Sequence, residues 1–192
     1  MRKIMVFVSV VVAFAFTSRD SAIKNTSVVL TPESSLIVRG TTNVNTFTCA
    51  FNINKFKNPV SVAYRIEDSK MKFSKTALVL DNNCFDCGGK AINNDFQSIL
   101  KSDKYPQITL LLKEIVNYNS ADIQALIDIQ IAGVNKSLQV PVKFKKSKGM
   151  TITGDLGLSL ADFNIHPPKK FLGLVTVNDT IDIYFQLVLK EA

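Results

Sequence analysis

The sequence predicts an antiparallel all-β domain, a barrel or a sandwich of roughly eight strands with one short helix. Three observations carry that reading. Apolar and polar residues alternate through most of the chain from residue 28 onward. Short turn-like stretches separate the alternating runs. Only one segment departs from period two, and its period is that of a helix.

The elements follow in chain order. Leu36-Ile37-Val38 and Phe47 to Ile53 read as two strands around Gly40-Thr41-Thr42-Asn43, whose residues favour a turn. Val60 to Ile66 and Thr76 to Leu80 read as strands too. Within KAINNDFQSILKS, Ile92, Phe96, Ile99 and Leu100 recur at helical spacing, so a helix is expected near residues 91–102. Asn93 or Asn94 suits its cap, Asp95 suits its first turn, and Tyr105-Pro106 closes it. Ile108 to Glu114 opens the central series. Ile123, Ala125, Ile127, Ile129 and Ile131 then share one face, against Gln124, Asp128 and Gln130 on the other. A tight turn is expected at Gly133-Val134-Asn135-Lys136. Leu138, Val140, Val142 and Phe144 continue the pattern, and Pro141 removes one ladder donor, so an unpaired or bulged position is expected there. Residues 145–149 form the next hairpin tip. Met150, Ile152, Leu156, Leu158 and Leu160 follow at period two, with Gly154 in register, where a strand glycine marks a bend or a close backbone approach. Ile181, Ile183, Phe185, Leu187 and Leu189 alternate last.

The first residues read differently. Arg2 and Lys3 precede an apolar run from Ile4 to Ala15, and Ala13-Phe14-Ala15 has small residues where a signal peptidase reads them. The run is too short for a membrane span, which needs ~20 residues. Residues 1–15 are therefore expected to be a signal peptide, 16–29 a linker and 30–192 the barrel domain. Export would leave no stable membrane anchor after cleavage.

Composition excludes several functions. The formal charge is +7 and the lysines are scattered, apart from Lys143, Lys145, Lys146 and Lys148 around a turn, so no nucleic-acid stripe exists. One histidine, His166, rules out a His-based metal cage and leaves a single candidate for a triad, with no nucleophile to join it. No metal site and no cofactor are expected, and the chain does not read as an enzyme. Asn25, Asn135 and Asn178 open glycosylation sequons, which matter only in a eukaryotic secretory pathway. In an oxidising compartment Cys49, Cys84 and Cys87 predict one disulfide and one spare thiol, with Cys49 joined to Cys84 or to Cys87. Thirteen Phe and no Trp fill the remaining apolar content. An eight-stranded barrel is just wide enough to be filled by side chains or to hold one small ligand. The run Ile123–Ile131 would span ~31 Å, long enough to enclose a slender chain.

Several segments, taken in order, resemble the YceI-like family. FQSILKSDKYPQITLLL, from Phe96 to Leu112, is similar to its helix, Tyr-Pro-x-Ile turn and strand. IDIQIAGVNKSLQVPV, 127–142, is similar to its strand, Gly-x-x-Lys and strand hairpin. ITGDLGLSLADFNIHPPKKFLGLVTV, 152–177, resembles its closing region. VRGTTNVNTFTC, 38–49, and FDCGG, 85–89, resemble a cysteine-containing variant associated with Bacteroidetes. Ile92-Asn93-Asn94-Asp95-Phe96 stands where many members carry Arg-Asp-x-x-Leu, and Ala161-Asp162-Phe163-Asn164 where many carry Arg-x-x-Phe-Gly. Head-group contacts of other members are therefore not carried over.

The resemblance implies an extended, lipocalin-like antiparallel eight-stranded barrel, periplasmic or secreted. It implies a non-catalytic carrier whose barrel holds a polyisoprenoid, a quinone or a fatty acyl lipid. The alternative is a ligand-free packed barrel serving as a structural or interaction domain in the cell envelope. FDCGG favours Cys87 over Cys84 as the partner of Cys49. The expected lining is Phe47, Phe51, Phe73, Phe144, Phe163 and Phe185, with Phe96 and Leu100 of the helix closing one end. A one-residue error in strand phase would swap faces.

Overall fold

The computed structural model describes residues 22–146, 149–166 and 175–192. The signal peptide expected over residues 1–15, with its cleavage near Ala15, lies outside the described residues, as does part of the hairpin tip expected at 145–149. Among the described residues strand accounts for 63%, and there is one α-helix. In chain order the strands are β1 Lys24–Leu30, β2 Ser35–Thr42, β3 Thr46–Phe51, β4 Val60–Glu67, β5 Lys70–Asp81 and β6 Phe85–Asp86. Helix α1, Lys90–Ile99, follows. Then come β7 Gln107–Val116, β8 Ile123–Ile131, β9 Val134–Lys146, β10 Met150–Ser159 and β11 Val177–Glu191.

Eight strands close a ring in the order β1, β4, β5, β7, β8, β9, β10, β11 and back to β1. Every pairing is antiparallel, and four of the eight, β4–β5, β7–β8, β8–β9 and β9–β10, are joined by short turns. The expected eight-stranded antiparallel barrel is thus the fold. Three strands stand outside the ring. β2 pairs with the first part of β11, β3 with β2, and β6 with β3. β1 pairs with the last residues of the same β11, from Leu30↔Leu189 to Val28↔Glu191. The stretch 16–29, expected as a linker, therefore supplies a ring strand from Lys24 onward.

Local differences from the sequence reading have local causes. β2 runs through Gly40 to Thr42, because the Phe47 ring of β3 lies over Gly40, where a Cβ would come within 2.2 Å of it. The turn comes later, with the Thr42 hydroxyl and Asn45 bonding each other. β5 starts at Lys70, well before Thr76, and its register shifts between Lys72 and Thr76, with Lys75 at φ 60°. That irregularity moves the inward positions from odd to even numbers and hides the strand from a period-two reading. The β8–β9 turn is Ala132-Gly133, both at positive φ, rather than Gly133 to Lys136. The β9–β10 ladder ends at Val142↔Gly154, next to Pro141, which matches the expected unpaired position.

α1 ends at Ile99, before the expected 102, because Lys101 at φ 54° turns the chain. Gly89 precedes it without a side-chain cap, and Asn93 lies inside the helix. Its amide oxygen accepts from the Cys87 N–H at 2.6 Å and its amide donates to Asp86 Oδ1 at 3.1 Å. Asn93 thus ties the helix to the loop before it instead of capping the first turn.

Candidate functional site

The interior follows from strand phase. The stripe Ile123, Ala125, Ile127, Ile129 and Ile131 of β8 faces inward, while Gln124 and Gln130 face out. Leu138, Val140, Val142 and Phe144 of β9, Ile152, Leu156 and Leu158 of β10 with Leu160 after it, and Ile181, Ile183 and Phe185 of β11 pack into the same interior. Met150, expected in the β10 stripe, is instead 46% exposed. Phe185 lies directly opposite Gly154 of β10. A Cβ on Gly154 would meet the Phe185 ring at 2.5 Å. The glycine makes room for that ring to lie across β10.

These side chains form two apolar clusters. The first fills the end beside α1: Val38, Cys49, Phe51, Leu80, Phe85, Phe96, Leu100, Leu158, Phe163 and Ile165 are buried there. Phe85 packs between Phe51 and Phe96, with ring centroids 5.1 Å from each. A disulfide joins Cys49 of β3 to Cys87, the pairing favoured above, and Cys84 remains a free thiol. By chain entropy such a crosslink contributes about 4 kcal/mol. The second cluster fills the other end, with Ile115, Ile123, Ala125, Val140 and Val142 buried and Met71, Phe73, Phe144, Ile152 and Phe185 packed against them. Leu138 and Leu156 touch both.

All eight expected lining residues pack into these apolar clusters, but not together, and only Phe73, Phe144 and Phe185 stand on strands of the ring. Phe47, Phe51, Phe96, Leu100 and Phe163 belong to the α1 end, and Phe73, Phe144 and Phe185 to the other. The aromatic criterion passed over Leu138 and Leu156, where the clusters meet. Their signal was present in the period-two stripes of β9 and β10.

Charged groups stay outside. At the end away from α1, Lys72 Nζ lies 2.6 Å from Glu67, and this bond, with Arg65 nearby, holds the Glu67 carboxyl below its usual range. Asp162 lies 3.9 Å from Lys136 across the β9–β10 gap, and Cys84 Sγ bonds Asn83. His166 is exposed. Two concavities are found on the sheet's outer face. One, of about 390 Å³, crosses β8, β9, β10, β11 and β2; the other, of about 430 Å³, lies over β7, β8 and β9.

A model of the YceI-like domain matches residues 28–189. The chain belongs to the YceI-like family. None of the curated proteins compared with it matches. Among solved structures the YceI-like barrel is similar to Burkholderia cenocepacia BcnA, at a TM-score of 0.63 and 23% identity, covering 81% of this chain and 95% of that one. It is also similar to a polyisoprenoid binding domain from Saccharophagus degradans implicated in plant cell wall breakdown. That match has a TM-score of 0.59 and 14% identity, covering 88% of this chain and 100% of the other. The Campylobacter jejuni YCEI protein matches at a TM-score of 0.52 and 18% identity, over 72% of this chain and 83% of that one. At these identities the neighbours establish the YceI-like fold.

Proposed function

We propose that this YceI-like domain is an exported, non-catalytic carrier that holds the apolar tail of a polyisoprenoid or a comparable long lipid inside its ring. The observation that carries the reading is the apolar inward stripe contributed by each central ring strand. Inward-facing Ile127, Leu138, Phe144, Ile152, Leu156 and Phe185 are only partly buried, so a tail lying beside them would finish their burial. Each methylene taken from water contributes about 0.8 kcal/mol. The polyisoprenoid-binding description of the Saccharophagus neighbour agrees with this ligand class. The Cys49–Cys87 bond agrees with an oxidising compartment, periplasmic or extracellular.

A second reading has its own observation. The two clusters touch through Leu138 and Leu156, as they would in a barrel filled by its own side chains. Native mass spectrometry of protein purified from its own host separates the two. A co-purified lipid supports the carrier; a clean apo mass supports the packed domain. Phe144→Asp places a charge among the second cluster, where it must be desolvated or draw water in, and is expected to abolish lipid co-purification. Phe144→Ala is expected to retain part of it. Far-UV circular dichroism must show both variants folded. A folded Phe144→Asp protein with a full complement of lipid would remove Phe144 from the site.

A further inference from the structure

The groove of about 390 Å³ on the outer face has no role in a lipid carrier. Outward-facing Gln124, Pro141, Lys143, Thr153, Asp155 and Tyr184 line it, one or two from each of four neighbouring strands. With Ile37 of β2 it crosses five strands, a span of about 19 Å at the usual strand spacing. We propose that this groove is a second binding site, and that it takes a short, uncharged oligosaccharide.

The chemistry of the lining selects the ligand. Tyr184 is 40% exposed, and Arg39 sits over its ring at 5.4 Å, which fixes the ring beside the groove. A fixed, exposed aromatic plane is a platform for a flat ligand with apolar C–H faces. Gln124, Lys143, Thr153 and Asp155 make no side-chain hydrogen bond or ion pair within the described protein. By contrast, Asp128, on the same outer face, accepts from Ser137 at 2.6 Å and faces Lys113. The four unpartnered groups supply donors and acceptors of every kind, as a ligand rich in hydroxyls requires. Lys143 is opposed by Asp122 and Asp155, so the groove carries no excess of positive charge for a polyanion. It runs across the strands, whereas a peptide added to a sheet lies along a strand edge. A polyhydroxylated chain with alternating apolar and hydroxyl faces satisfies all four conditions.

The test uses the whole mature protein and six probes: the hexasaccharides of cellulose, laminarin, xylan, chitin, mannan and starch. The chain has no Trp, so the summed emission of its four Tyr can be followed, a change lost in Tyr184→Phe locates the response at Tyr184, and calorimetry gives an independent isotherm for every variant. At least one probe is expected to bind in both measurements, with an affinity unchanged by added sodium chloride. Tyr184→Ala is expected to weaken it at least tenfold and Asp155→Ala severalfold. Tyr184→Phe keeps the plane and is expected to stay near the parent, as is Gln130→Ala in the other groove. Failure of all six probes, binding that fades with salt, or a folded Tyr184→Ala protein that binds as the parent does would overturn the proposal. Lipid content measured on the same variants is a separate readout and leaves the carrier reading untouched.

Discussion

Gly154 and Gly157 lie three residues apart on β10, and only their surroundings distinguish them. A Cβ on Gly154 would sit 2.5 Å from the Phe185 ring and 2.9 Å from the Pro141 carbonyl oxygen. The carbonyl belongs to the backbone and cannot swing aside. Around Gly157 the nearest atom to such a Cβ is 3.8 Å away. Gly154→Ala is therefore expected to lose ~1–3 kcal/mol, as overpacking does. Gly157→Ala is expected to gain ~0.5–1 kcal/mol, because alanine has less backbone freedom to give up in a strand. Thermal unfolding of the two variants beside the parent checks both signs, and equal melting temperatures would contradict the packing described for Phe185. The alternation of β10 showed that Gly154 points inward. It did not show what fills the space above it, because that residue lies thirty-one positions along the chain, on the strand opposite.

At the scale of elements, α1 is held by the loop that precedes it. Asp86 Oδ1 accepts from the Gly88 N–H at 3.0 Å and from the Asn93 amide at 3.1 Å, and these bonds hold its carboxyl below the usual range. Asp81, at the end of β5, is lowered by the Gln107 amide at 2.6 Å and by Lys57 at 3.3 Å. A carboxyl whose folded pKa is depressed adds stability above its unfolded value and loses it as pH falls toward the folded one. The loop and the first turn of α1 are therefore expected to loosen in acid, as pH drops below about 4. Hydrogen exchange of the amides of residues 87–93 at stepped pH measures this. Asp86→Asn is expected to raise exchange at neutral pH and to flatten the acid response of that segment. An unchanged response would assign it to other carboxyls. The helix itself was legible from Ile92, Phe96, Ile99 and Leu100. Its anchoring was not, since an asparagine near a helix start reads as a cap, and only the fold of the Cys87-Gly88-Gly89 loop brings Asn93 back onto Cys87.

For the whole molecule, the long alternating strands β8 to β11 were readable because one face of each is buried, which ties sequence period to structure. β6 was not, being two residues long, and neither was the partition of the aromatic residues into two clusters, which depends on where each strand sits along the barrel axis. Ring closure depends on β11. Its first part holds β2 and its last residues hold β1, while β10 pairs along the other edge from Thr180 to Leu189. A chain ending at Gln186 keeps every β11–β2 pair and loses every β11–β1 pair. It is expected to retain far-UV circular dichroism, lose its near-UV tyrosine signal and bind a dye for exposed apolar surface; a native near-UV spectrum would show that the ring closes without β1. The same arrangement sets an order in time. The segment that joins the two ends of the barrel follows every other ring strand in the chain, so until it emerges β1, β2 and β10 each present a bare edge. The nascent chain must stay open, or shielded from its neighbours, until β11 arrives.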